Sequence, residues 1–182
     1  MKSLYQIAEE IENIATTSKL FINGRDKLSL STIKDTLDAL EKKVEAMESM
    51  EEALTPQHKL LISTISGVAA RLKNTALILE TIKDNRPLYT DLDIPFMVDI
   101  LLRNIKSLIL HVNEGAPIDC DKIKEDLKLI EGLEDQHKRI LITYLAQNWR
   151  NIKEVIPLIK LGENYKLICS QICEMQNLLK WQ

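Results

Sequence analysis

His58, His111 and His137 are the side chains in this sequence best suited to moving protons near neutral pH. His58 and His137 occur in similar strings, Gln57-His58-Lys59 and Gln136-His137-Lys138, each close to the expected start of a helix. The positive end of a helix dipole disfavours imidazolium, so the two rings are read either as neutral acceptors or as polar residues facing solvent in a first turn. The solvent-facing reading is the simpler one. His58 lacks the setting of a phosphotransfer histidine, because Leu61 and Ile62 stand in the following turn where a lysine and a small residue are needed. His111 falls near the end of the most apolar helix, where an imidazole suits the helix terminus better than it suits catalysis.

Metal chemistry finds little support. Glu134 and His137 are three apart and share a helical face, as in di-iron bundles, but such a site needs a second pair and inward glutamates from two more helices. Thr55 stands at the matching position beside His58. Asp119-Cys120-Asp121 with Glu125 and Asp126 lacks the turn glycine of a calcium loop and has Ile123 at a ligand position, so these acids suit a helix start. Cys120, Cys169 and Cys173 do not have zinc spacing and read as reduced thiols, buried or half-buried. Neither a phosphate-binding glycine loop nor a nucleophile elbow is present. Arg71 and Arg150 have no histidine at the spacing of helical ribonucleases. No metal, cofactor or catalytic set is expected.

The elements that must hold these residues are helices. Apolar positions recur at steps of three and four almost everywhere, and strand-like alternation is nearly absent, so the fold class is all-α. The expectation is about seven helices in one compact bundle or array over residues 1–182. Leu4, Ile7, Ile11 and Ile14 form the stripe of a first helix ending near Thr17, followed by a loop around Asn23-Gly24. Ile33, Leu37, Leu40, Val44, Met47 and Leu54 make a heptad seam on the second. Thr55-Pro56 starts a long third helix whose stripe is widened by Ile62, Ala69 and Ala76, as contact with two neighbours requires. Asp93 caps a fourth, whose many apolar residues suggest a helix surrounded by the others. Gly132 is read as ending a short fifth helix and Gly162 as ending a sixth, with Leu141, Leu145, Trp149, Ile152, Ile156 and Ile159 facing inward and Pro157 kinking or dividing it. Tyr165, Ile168, Ile172, Met175 and Leu179 form the stripe of the last.

Residues 33–41 resemble 123–131, and 57–64 resemble 136–143, which points to a pseudo-repeat of residues 1–90 and 91–182. Two stacked helical units around a shared core would result.

Composition narrows the function. The 182 residues carry 24 Lys and Arg against 27 Asp and Glu, a net charge of −3 with the signs interleaved, which disfavours nucleic acid as a partner. Asp99, Arg103 and Lys106 interrupt the most apolar stretch, so no membrane span is expected. Glutamates near the N-terminus and an odd cysteine count point to a reducing, cytoplasmic setting. What remains is surface. Arg86, Leu88 and Tyr89 on a proline-stiffened segment, and Val44 and Met47 on the heptad seam, are the candidate partner-binding residues. The leading reading is a non-enzymatic helical module that binds another protein: an adaptor, a regulator, or a pathogen or phage factor. The alternative is an all-α enzyme acting on phosphate esters or nucleic acid through His58 and His137. Self-assembly into a homo-oligomer through the heptad seam is a further option.

Overall fold

The structure is a computed structural model and describes residues 2–22, 29–49, 55–82, 93–147 and 149–179. Among these residues are six α-helices and no strand: α1 (Lys2–Ile22), α2 (Ser29–Glu48), α3 (Pro56–Ile82), α4 (Ile94–Glu114), α5 (Cys120–Gln147) and α6 (Ile152–Leu179). A 3-10 turn, Trp149–Asn151, joins α5 to α6.

Local chemistry sets the helix ends. Thr55 accepts the His58 backbone N–H with its hydroxyl at 3.3 Å, and Pro56 takes the first helical position, where its missing N–H costs nothing. Asp119 caps α5 by accepting the Asp121 and Lys122 backbone N–H groups at 3.1 and 3.0 Å. Gly115 ends α4 with φ of 69°, a left-handed conformation cheap only for glycine, and its N–H reaches the His111 carbonyl. Asp93 occupies the expected cap position of α4, but its side chain makes no capping hydrogen bond.

Four expected boundaries move. The first helix continues past Thr17 to Ile22, because Ile22 is buried and Phe21 packs on the core. Gly132 lies inside α5, where Ile130, Leu133, Glu134 and His137 on either side are buried. Burial on that scale outweighs the penalty of about 1 kcal/mol for glycine in a helix. Gly162 lies inside α6, buried against α5. The division expected at Pro157 falls upstream at the 3-10 turn, and Pro157 sits within α6. Among the described residues the helices therefore number six, one fewer than the expected count of about seven.

α3 lies along α6 in the most extensive pairing, α1 packs on α2 and α4, and α2 also packs on α3. α5 rests mainly on α6. The widened stripe of α3 meets the two neighbours it implied, α2 and α6. α4 is not surrounded: Phe96 and Leu110 are exposed, and its buried side faces α1 and α6. No helix among the described residues is long and apolar enough to cross a membrane. Of the matched strings, residues 33–41 and 123–131 lie in α2 and α5, the middle helices of successive triplets. Residues 57–64 begin α3, whereas 136–143 lie in the interior of α5, so that second match does not pair equivalent positions.

Candidate functional site

The structure separates the two histidines expected to act together. His58 is exposed in the first turn of α3, its Nδ1 2.8 Å from the Thr55 hydroxyl that caps the same helix. His137 is neither in a first turn nor at the surface; it lies midway along α5 and is 2% exposed. Its Nε2 donates to the Leu158 carbonyl of α6 at 2.8 Å, which leaves Nδ1 as the bare nitrogen, without a partner. Gly162 makes this contact fit, since a Cβ there would stand 3.1 Å from the His137 ring. Burial holds the His137 pKa below its ordinary value against the opposing pull of the Leu158 hydrogen bond, Glu134 and Asp93. His111 completes the end of α4, as its spacing suggested, with Nδ1 2.7 Å from the Ala116 carbonyl.

Glu134, also buried, is neutralised by Lys138 on its own helix and Lys166 on α6, while Lys138 reaches Glu163 at 2.9 Å. The carboxylates of Glu134 and Glu163 raise the Lys138 pKa. These lysines occupy the ground where a metal beside Glu134 and His137 would need further ligands. No group of three or more His, Cys, Asp or Glu able to hold an ion occurs among the described residues. Cys120, Cys169 and Cys173 are free thiols, the last two buried; a hydrogen bond with Cys169, together with burial, pushes the Cys173 thiol far up.

Of the candidate contact residues, Arg86, Leu88 and Tyr89 lie outside the described residues. Val44 is in the core and Met47 packs half-buried against it, because the heptad seam is covered by α1 and α3. Val44 therefore meets another chain only if it leaves the core, and a charge placed there would break the fold first.

Two polar clusters were not expected from sequence, although each contains a residue named there: Asp126, read as one of the acids of a helix start, is instead buried and paired, and Arg71 joins α3 to α6. Asp126 on α5, 2% exposed, takes a two-point contact from Arg103 on α4 and a 3.0 Å bond from the Asn104 amide, while Gln176 on α6 donates to the Asn104 carbonyl. Between α3 and α6, Asn164 donates to the Arg71 carbonyl at 2.7 Å and to the Thr75 hydroxyl, and Arg71 Nε donates to Gln171. Gly67 leaves room for the Gln171 amide, which an alanine there would strike. Tyr165 is fully buried; loss of solvent raises its pKa, opposed by the Ser18 hydroxyl of α1. The signal for these clusters was present, since Asn104, Asp126 and Asn164 interrupt otherwise apolar faces.

No family model matches the sequence, and no curated protein does. Among solved structures, the crystal structure of PhoU from Pseudomonas aeruginosa superposes with a TM-score of 0.65 at 12% identity, over 99% of this chain and 93% of that one. The chain shares the fold of PhoU. At this identity the PhoU likeness carries the course of the helices and not the side chains. Among the described residues, grooves open at two places on the bundle surface. One, of about 470 Å³, runs beside α4 past Asp99, Arg103, Lys106 and Leu110 to Pro117; the other, of about 290 Å³, lies between Leu60 on α3 and Leu178 on α6. Neither contains a histidine or a cysteine.

The inward stripe expected from Leu141 to Ile159 is not a single face. Leu141 is buried, but Trp149 is 74% exposed, and Ile142, Ile152 and Ile156 are also open to solvent. The 3-10 turn reverses the chain between α5 and α6, so one apparent stripe is split over two antiparallel helices.

Proposed function

We propose that this chain is a non-enzymatic helical module that binds another protein, working in a reducing cytoplasm as an adaptor or regulator. The observation that carries the reading is the fate of the histidines: one helps start a helix, one finishes a helix, and one ties α5 to α6. An enzyme using His58 and His137 on one substrate needs both rings in one cleft. A ring that is 2% exposed and bonded to Leu158 does not offer itself to a substrate. The shared fold with PhoU is compatible with the module reading and by itself assigns no partner.

The same reading keeps the segment Arg86 to Tyr89 as the contact, since Arg and Tyr dominate interface hot spots. It also treats residues 1–90 and 91–182 as related units: α3 on α6 and α1 on α4 pair helices of equal rank in the two triplets, as a twofold arrangement requires. The test is an affinity capture repeated with the purified partner. Wild-type chain is expected to bind saturably, and a Leu88→Ala/Tyr89→Ala variant to bind about tenfold or more weakly, the range of a hot-spot loss. Equal affinity of the variant removes the segment from the proposal; turnover of a phosphate ester that disappears in His58→Ala overturns the proposal itself. Self-assembly is read separately by light scattering, where a single-protomer mass excludes it.

A further inference from the structure

We infer that the turn between α5 and α6 is a peripheral docking point for an anionic lipid surface. Ile142 at the end of α5, Trp149 in the 3-10 turn, and Ile152 and Ile156 at the start of α6 are 58%, 74%, 45% and 43% exposed. Helical register brings them to one side. Lys138 pairs with Glu163, and Glu134 with Lys166, across the antiparallel helices, so positions whose numbers sum to about 300 lie opposite one another. Ile142 and Ile156 therefore flank Trp149 and Ile152 at one end of the bundle. Large side chains radiating from a hairpin turn protrude rather than enclose, and neither groove described above is lined by them. A soft interface, which closes around protruding groups, suits them better, and Trp favours that depth of a bilayer.

Charge provides the second and independent observation. Arg139, Arg150, Lys153 and Lys160 surround these residues; all are exposed, and none has a carboxylate partner among the described residues. Elsewhere Lys19, Lys34, Lys43, Lys73, Arg103 and Lys106 each meet one, and the other exposed lysines without one, Lys42, Lys59 and Lys128, stand far apart along the sequence rather than in one group. From residue 139 to 160 four cations stand against one acid, Glu154, which in a chain of net charge −3 is a local excess of positive charge at an apolar tip, and it points to an anionic surface. The spacing fits as well. Arg139 and Lys160 lie about one helical turn from Ile142 and Ile156, or about 5 Å, which places cations at headgroup level when the apolar tip enters the boundary by its usual ~5–10 Å.

The test is vesicle flotation of the full chain with phosphatidylcholine alone and with phosphatidylcholine mixed with phosphatidylglycerol. Co-flotation with the mixed vesicles only, weakened by salt, is the expected result. In a Trp181→Phe background the remaining Trp149 emission should shift to the blue on those vesicles. Trp149→Ala should weaken partitioning about tenfold, and Arg150→Glu/Lys153→Glu by at least as much. These positions are exposed, so helical content and melting temperature stay unchanged and folding is not the cause of a loss. No flotation with the mixed vesicles, or flotation that neither variant weakens, overturns the inference. So does saturable binding of an acidic peptide through Trp149 in a chain that ignores the vesicles. None of these outcomes touches the segment Arg86 to Tyr89, so the protein-binding proposal stands or falls separately.

Discussion

The two helical triplets bury polar groups by different rules. Among the described residues of α1 to α3 the buried polar ones are Ser18, Thr64 and Thr75, each of which returns its hydroxyl proton to a carbonyl four residues back on its own helix. In α4 to α6 they are Asn104, Asp126, Glu134, His137, Asn164 and Gln176, and most of their bonds cross between helices. The first triplet is held by apolar contact, which tolerates sliding and repacking, and its links between helices, Lys43 to Glu10, Lys34 to Glu80 and Lys73 to Glu41, are ion pairs nearer the surface. The second adds directional links that are costly when broken, so helix register is specified there more sharply.

The largest expected effect breaks the costliest link. Arg103→Met leaves the Asp126 carboxylate buried with only Asn104 to satisfy it, and should destabilise the chain by about 3 kcal/mol in urea denaturation. That is the low end for a broken buried pair, because Arg103 is half exposed and water can follow it in. Lys34→Met, which removes an exposed pair with Glu80 in the first triplet, should change stability by about 0.5 kcal/mol or less. Equal effects would erase the distinction between the halves.

Next in size is a dependence on pH that His137 brings to the second triplet. His137 is held neutral by burial, so its folded pKa lies below 6.5 while the unfolded chain titrates normally. Below about pH 6.5 the unfolded state binds the proton first, and stability falls with pH by up to about 1.4 kcal/mol per unit. Glu134 and Asp93 face the ring and soften the loss, whereas Lys138 adds to it. His137→Gln should flatten the profile between about pH 6.5 and 5, above the range where carboxylates titrate. A wild-type stability that is level across this window would show that protonated His137 is tolerated in place.

Much of this architecture is legible in the order of the residues alone. The stripes of α1, α3 and α6 fall where periodicity puts them, because Leu4 to Ile14, Leu61 to Ile82 and Tyr165 to Leu179 each bury one continuous face. Thr55-Pro56 and Asp119 act locally, and local signals survive tertiary packing. What the sequence hides depends on partners distant along the chain. Gly132 and Gly162 look like helix ends because glycine is a poor helix former in isolation, and only packing on α6 shows why α5 runs through the first. Trp149 looks like core because the turn that reverses the stripe is three residues long and carries neither glycine nor proline. His137 looks exposed for the same reason that Gly132 looks terminal: with one helix cut in two, an interior residue becomes a first-turn one.

The smallest effects test that lesson with a single methyl group in two places. Both glycines lie inside helices, and alanine gains about 0.5–1 kcal/mol of helix propensity at either. At Gly132 an added Cβ meets nothing within 4 Å, so Gly132→Ala should stabilise by about that amount. At Gly162 the methyl stands 3.1 Å from the His137 ring, which cannot retreat without lengthening its bond to Leu158. Crowding of this kind costs about 1–3 kcal/mol, more than the propensity gain, so Gly162→Ala should destabilise by about 1 kcal/mol net. Made in a His137→Ala background, where the ring is gone, the same Gly162→Ala change should turn neutral or stabilising. A double-mutant cycle with no coupling would mean that the small residue at 162 serves something other than the histidine it faces.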